Sequence, residues 1–197
     1  MDNKSLIENY IQLISTEGFI NEDEKFYFKN IGSTNQEIFY DTTAQSCIKH
    51  IKVDNIDGRS VDLIANIHYS TLKNYATAED LKHYIDDLIE MQKQELTKEI
   101  ICFNIIEDIK NLIEEEGYQC DNIFYDYPYN KGYGFVYVEH PSNYEYRFKH
   151  IEHTDFITIY ELNEDKIKKI ILNYEEILEL DKENITTYIK EKFKAKF

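Results

Sequence analysis

Two hydrophobic spacings alternate along the chain. In IENYIQLISTEGF (Ile7–Phe19) the apolar residues Ile7, Tyr10, Ile11 and Ile14 fall at i, i+3, i+4 and i+7, the stripe of a one-sided helix. In Ser60–His68, Val61, Leu63, Ala65 and Ile67 alternate with mostly polar residues, the period of a strand with one buried face. Ser5 and Glu8 spell an S-x-x-E capping box at the start of the first helix. Gly18 stands where a left-handed residue ends it, and Phe19 follows to fold back on the last turn.

The same pattern returns about 100 residues later. IEDIKNLIEEEGY (Ile106–Tyr118) matches the first helix without a gap at six of 13 identical positions, with Gly117 and Tyr118 in the terminating places. Further matches follow in the same order. EKFYFKN (24–30) aligns with DNIFYDY (121–127), and QEIFYDT (36–42) with YGFVYVE (133–139). IKHI (48–51) aligns with FKHI (148–151), VDLI (61–64) with ITIY (157–160), and EDLKHYI (79–85) with ENITTYI (183–189). Several short matches in one order indicate an internal repeat, which bears on the whole fold.

Each copy therefore predicts a helix, four short strands rich in Ile, Val, Phe and Tyr, and a closing helix. Turns are expected at Asn30–Ser33, Asn55–Gly58, Pro128–Gly132 and Pro141–Asn143, where Asn, Asp, Gly and Pro supply hairpin angles. The second copy has eight extra residues before its last helix, and the stripe Ile167, Ile170, Ile171, Tyr174, Ile177 predicts an added helix over 166–180. Between the copies, Ala78–Glu116 holds no Gly or Pro, and Thr77 with Asp80 caps its start. Unbroken, that helix would be roughly 58 Å long. A bend near Glu95–Lys98, with Thr97 capping a second helix, is the expectation, because so long a helix needs packing along its whole length. The expected fold is α+β: a tandem duplication of a helix–four-stranded antiparallel sheet–helix unit, pseudo-twofold, joined by a long or kinked central helix. The boundaries are 1–96 and 97–197, the second repeat carrying its extra helix near 164–180.

Charge narrows the partners. The chain has 38 acidic and 22 basic residues, a net −16, divided evenly: 18 acids and 10 bases in residues 1–99, 20 and 12 in 100–197. Such a chain is repelled by nucleic acid and by anionic membranes, and suits a basic protein surface. No apolar run reaches bilayer-spanning length, and MDNKSLIENY has neither the basic nor the apolar region of a secretion signal. Cys47, Cys102 and Cys120 are an odd, scattered set without C-x-x-C, as suits free thiols in a reducing cytoplasm.

Candidate chemistry is sparse. His50 and His150 occupy matching strand positions, where a half-buried histidine copied with its surroundings is the plainer explanation than a ligand pair. The group His140, His150, Glu152, His153, Asp155 is the densest in metal-type residues, but lacks ligand spacing. His83 has Glu79 and Asp87 four residues to either side, which a solvated helix face also supplies. Cys102 lies among apolar neighbours and reads as core. Gly132-Tyr133-Gly134 is a fragment of a phosphate loop with no helix after it. No nucleotide-, zinc- or serine-hydrolase motif is present, so neither catalysis nor a cofactor or metal is expected.

Tyrosine is the exception. Eight of 17 crowd between Tyr118 and Tyr146, interleaved with carboxylates. Asp121, Tyr125, Asp126, Tyr127, Tyr129, Tyr133, Tyr137 and Glu139 are the expected partner-binding residues, since phenol rings with carboxylates suit a cationic surface. The function expected is a non-catalytic protein-binding or inhibitor protein, of the phage-inhibitor or immunity-protein kind, that captures a basic partner such as a nucleic-acid-binding enzyme. In its order of elements the chain also resembles secretion chaperones, which implies an adaptor that holds an extended segment. A metal-dependent hydrolase is the third reading.

Overall fold

A computed structural model describes residues 2–23, 25–31, 34–127, 130–139, 144–163, 166–180 and 182–193. The protein is α+β, with two antiparallel sheets, and divides into two compact units, Met1–Gln94 and Glu95–Phe197.

The first unit opens with α1 (Asn3–Thr16), which buries the stripe Leu6, Ile7, Tyr10, Ile11 and Ile14. Its cap lies earlier than the Ser5–Glu8 box: Asp2 is the N-cap, and its Oδ1 accepts from the Ser5 amide at 2.8 Å. A carboxylate at this point also meets the positive end of the helix dipole. The far end is as expected. Gly18 has φ +91°, its amide donates to Ser15 O at 3.3 Å, and the Phe19 amide reaches back to Ile14 O at 3.4 Å. Gly117 repeats this at φ +93°, with Tyr118 N donating to Ile113 O at 3.3 Å. Only a residue without a Cβ takes these angles freely.

Five strands follow, not four: β1 (Ile20–Asp23), β2 (Phe26–Ile31), β3 (Thr34–Tyr40), β4 (Ser46–Ile56) and β5 (Arg59–His68), paired in that order. Asp57 (φ 46°) and Gly58 (φ 83°) form the two-residue turn between β4 and β5, and Asn55 Oδ1 accepts the Gly58 amide. Two successive positive φ angles match the twist of the strands they join. After the short α2 (Tyr69–Leu72), α3 (Ala78–Glu115) begins with the expected cap: Thr77 Oγ1 accepts Asp80 N at 3.1 Å, and Asp80 Oδ2 accepts Thr77 N at 3.2 Å.

The second unit also has five strands: β6 (Cys120–Tyr127), β7 (Asn130–Glu139), β8 (Tyr144–Ile151), β9 (Phe156–Asn163) and β10 (Lys166–Asn173), in the order β10-β9-β8-β7-β6. The helix expected over 166–180 is mostly strand. Ile167, Ile170 and Ile171 lie in β10, and only Tyr174–Glu179 form a helix, α4, capped by Asn173. The stripe keeps helical spacing, and it is the antiparallel ladder with β9, from Lys166 opposite Asn163 to Asn173 opposite Phe156, that makes it a strand. The last helix, α5 (Lys182–Phe193), buries Ile185 and Ile189, and so closes the unit as expected.

The strand each alignment missed lies at an edge, β1 in the first sheet and β10 in the second. The four matched strands do not share a pairing register. His50 lies opposite Ile38 and Ala65, whereas His150 lies opposite Tyr133 and Ile157. By sequence match Tyr133 corresponds to Gln36 and Ile157 to Val61, so the pairings are displaced by two and four residues. Both displacements are even, and each histidine therefore keeps its inward face.

α3 is one continuous helix through Glu95–Lys98, so Thr97 caps no second helix. Each half has its own lateral packing. Leu81, Ile85 and Ile89 are buried in the first unit; Cys102, Ile105, Ile106, Ile109 and Ile113 belong to the core of the second. Gly132-Tyr133-Gly134 lies inside β7, so the expected turn over Pro128–Gly132 does not extend to Gly132. A Cβ on Gly134 would collide with the Phe148 carbonyl oxygen, and one on Gly132 with that of His150. Glycine is needed here because β7 and β8 approach closely.

Candidate functional site

The expected binding residues fall into three groups. Asp121 is exposed at the edge strand β6. Tyr133, Tyr137 and Glu139 are buried, at 8%, 1% and 3% exposure. Residues directly opposite across an antiparallel pair share a face. Tyr137 pairs with Tyr146, and Phe135 with Phe148, and both pairs stack, with ring centroids 5.0 and 4.5 Å apart. Of the five tyrosines in the crowd whose side chains are described, Tyr133, Tyr137 and Tyr146 are thus core of the second unit, and Tyr118 and Tyr144 pack against it. Burial pushes the Tyr137 phenol far above its usual range, helped by Tyr146 and Glu139 beside it. Tyr125, Asp126 and Tyr127 are described by backbone alone, and Tyr129 and His140 lie outside the described residues. Sequence period alone had pointed inward for β7, since Tyr133, Phe135, Tyr137 and Glu139 alternate with Gly134, Val136 and Val138.

A groove of about 520 Å³ does open beside Asp121. The turn Gly117–Gln119 forms one side, and Asp121 with Val136–Val138 the other. Tyr118 stands edge-on to Tyr137 at 5.5 Å, and Val138 is 40% exposed. Among the described residues, Asp121 is the only charged one in this lining. The end of α3 leads into the groove with Glu114, Glu115 and Glu116, all exposed, and its last turn has no basic residue. Helix C-termini favour cations, so this local arrangement concentrates negative potential at the groove mouth.

The first unit holds a different cleft, of about 360 Å³, between α1, α3 and the inner face of β2–β4. His50 lines it at 5% exposure. Its Nε2 meets Gln36 Oε1 at 3.1 Å, and its buried Nδ1 has no partner. Burial pushes His50 down to about 4; Asp86 opposes this, and Lys52 and Lys82 reinforce it. Lys82 lies between Asp86 (2.7 Å) and Glu17 (3.6 Å), and Lys29 Nζ donates to the Glu17 carbonyl at 2.5 Å while lying over the Phe19 ring.

His150 is also lowered by burial, but its surroundings differ. Its Nδ1 is bonded to Phe156 O at 3.2 Å, and Tyr133, opposite it, packs on Phe103 at 4.7 Å. His153 is not on a strand. It sits in the β8–β9 turn at φ 61°, 88% exposed at its side chain, 3.8 Å from Glu99. Among the described residues no three His, Cys, Asp or Glu side chains gather as metal ligands. Cys102 is fully buried and its thiol is pushed up to about 12 by burial, as befits core. No helix among the described residues is long and apolar enough to cross a membrane.

No protein-family model, curated protein or solved structure matches the chain.

Proposed function

We propose that the protein is a non-catalytic binding protein that captures a basic protein surface, in the manner of inhibitors and immunity proteins directed at nucleic-acid enzymes. The groove beside Asp121 is the observation that carries this reading. It offers an exposed carboxylate and, among the described lining residues, no cation, with Tyr118 and the Val136–Val138 segment flanking it. A lysine or arginine stem suits the valines and the ring, and its charged head suits Asp121 and the acidic end of α3. The site is smaller than the tyrosine-rich face expected from sequence, since Tyr133 and Tyr137 belong to the core. The net −16 adds long-range attraction for such a partner. Within the same reading, the two units descend from one copied segment, and the register differences arose after copying.

The test is titration calorimetry with an arginine-rich peptide, at low and at physiological salt. Affinity should fall as salt rises, because screening shortens the reach of surface charge. Asp121→Lys should weaken binding about tenfold or more, the size expected of a reversed charge at a contact. Salt-independent binding, or an unchanged affinity in Asp121→Lys, rejects the proposal.

A further inference from the structure

The first-unit cleft lies in a different unit from the Asp121 groove and has a different chemistry. Gln36 Oε1 only accepts hydrogen bonds, so the His50 Nε2 that meets it carries the hydrogen. Burial, which pushes His50 down to about 4, keeps the imidazole neutral near pH 7, so Nδ1 presents a lone pair. That lone pair is buried without a donor, a state that costs free energy unless something fills it. A water, or the N–H or O–H group of a ligand, satisfies such a lone pair.

The charges of the lining restrict the donor further. The helix side presents Asp86, Asp87 and Glu90, and the sheet side presents Lys52 beside Gln36, its cross-strand partner. Lys82 and Lys29 are already held, by Asp86 and by the Glu17 carbonyl. The Lys52 side chain, between Gln36 and Leu63 in the sheet, makes no hydrogen bond or ion pair among the described residues. Phe19 stands edge-on to His50 at 6.1 Å and gives the cleft an apolar wall. One wall thus favours a cationic donor and the other an anion, within a volume that suits a small molecule.

We propose that this cleft binds a small zwitterion of the amino-acid class. The ligand's ammonium group faces His50 and the carboxylates of α3, its carboxylate faces Lys52, and its side chain lies against Phe19. His150 also has one bonded and one unpartnered ring nitrogen, but Tyr133, packed on Phe103, lies opposite it where the first unit has Ile38.

The test is a set of NMR titrations of the full chain with free L-amino acids, one at a time, at millimolar concentration, reading the His50 imidazole nitrogens. Sodium acetate and ethylammonium chloride are the single-charge controls. At least one amino acid should shift the His50 signals saturably and leave those of His150 in place, while neither control saturates. Lys52→Met and Lys52→Glu, each first shown to fold by circular dichroism, should weaken that binding by about tenfold or more. Absence of a saturable shift with every amino acid overturns the proposal. So does saturation by acetate or ethylammonium at equal affinity, or retained affinity in both Lys52 variants.

Discussion

His50 and His150 have the same neighbours in sequence and different surroundings in the fold. Both are buried on the helix-facing side of a sheet, and both have one ring nitrogen without a partner. His50 lines an open cleft with charged walls, whereas His150 stands opposite Tyr133 within an aromatic cluster. The difference traces to the residues facing them. The second sheet stacks Phe135 on Phe148 and Tyr137 on Tyr146. The first sheet has Ile38 opposite His50, with Gln36 and Lys52 beside it. Small and polar side chains leave room where rings would fill it. A repeated motif thus specifies a position in a fold, and the neighbouring strands decide whether that position is sealed or accessible.

The largest expected effect tests the tight approach that only the second sheet has. Gly134→Ala should cost about 4 kcal/mol, since a new Cβ meets the Phe148 carbonyl, a backbone atom that cannot rotate away. Glu37→Ala, the sequence-matched change in the first sheet, should stay within about 0.5 kcal/mol. Urea unfolding followed by far-ultraviolet circular dichroism checks both, and equal losses would show that the sheets are built alike. The chain has no tryptophan, so fluorescence is the weaker probe.

Next in size is the response to acid. An unfolded histidine takes its proton near pH 6.5, and folded His50 only near about 4. Between these values the unfolded chain binds more protons. Stability is therefore full above pH ~6.5 and is lost as pH falls through the window, by up to about 3 kcal/mol from His50. His150 shifts in the same direction. Urea midpoints at pH 7 and pH 4.5 should differ by less in His50→Gln than in the parent, and a loss of the same size in both would assign it to other groups.

The helix caps should give the smallest effects. Thr77→Ala, at the start of α3, and Asn173→Ala, at the start of α4, each remove a reciprocal cap. Each should cost about 1 kcal/mol. A markedly larger loss for Thr77→Ala would mean that α3 stabilises more than its own first turn.

The helix ends were the most legible feature of the sequence. Gly18, Gly117 and Thr77 act through backbone angles and hydrogen bonds within a few residues, so local spelling determines them. Edge strands were the least legible. β1 has four residues and little alternation, and the apolar stripe of β10 keeps helical spacing. Only pairing with β9 decides the second case, and that information is not local. The expected binding residues divide differently. Tyr133 and Tyr137 have the composition of a recognition surface, but their alternation with Gly134 and Val136 put them on the core side. The His50 cleft was not read from the sequence, because Gln36, Lys52 and Asp86 meet only after three distant segments pack.

Strand β10 gives the protein a safeguard that its function does not require. It ends a sheet with one long side of its backbone outside the ladder, and Ile167 and Ile171 stand 72% and 48% exposed upon it. Bare, such a strand would zip to its twin on another molecule and seed fibres. In a parallel, in-register join, Lys166, Lys168 and Lys169, three cations in four positions, would face their own copies. Mutual repulsion keeps that margin closed, and the few bases of an acidic chain protect its solubility there.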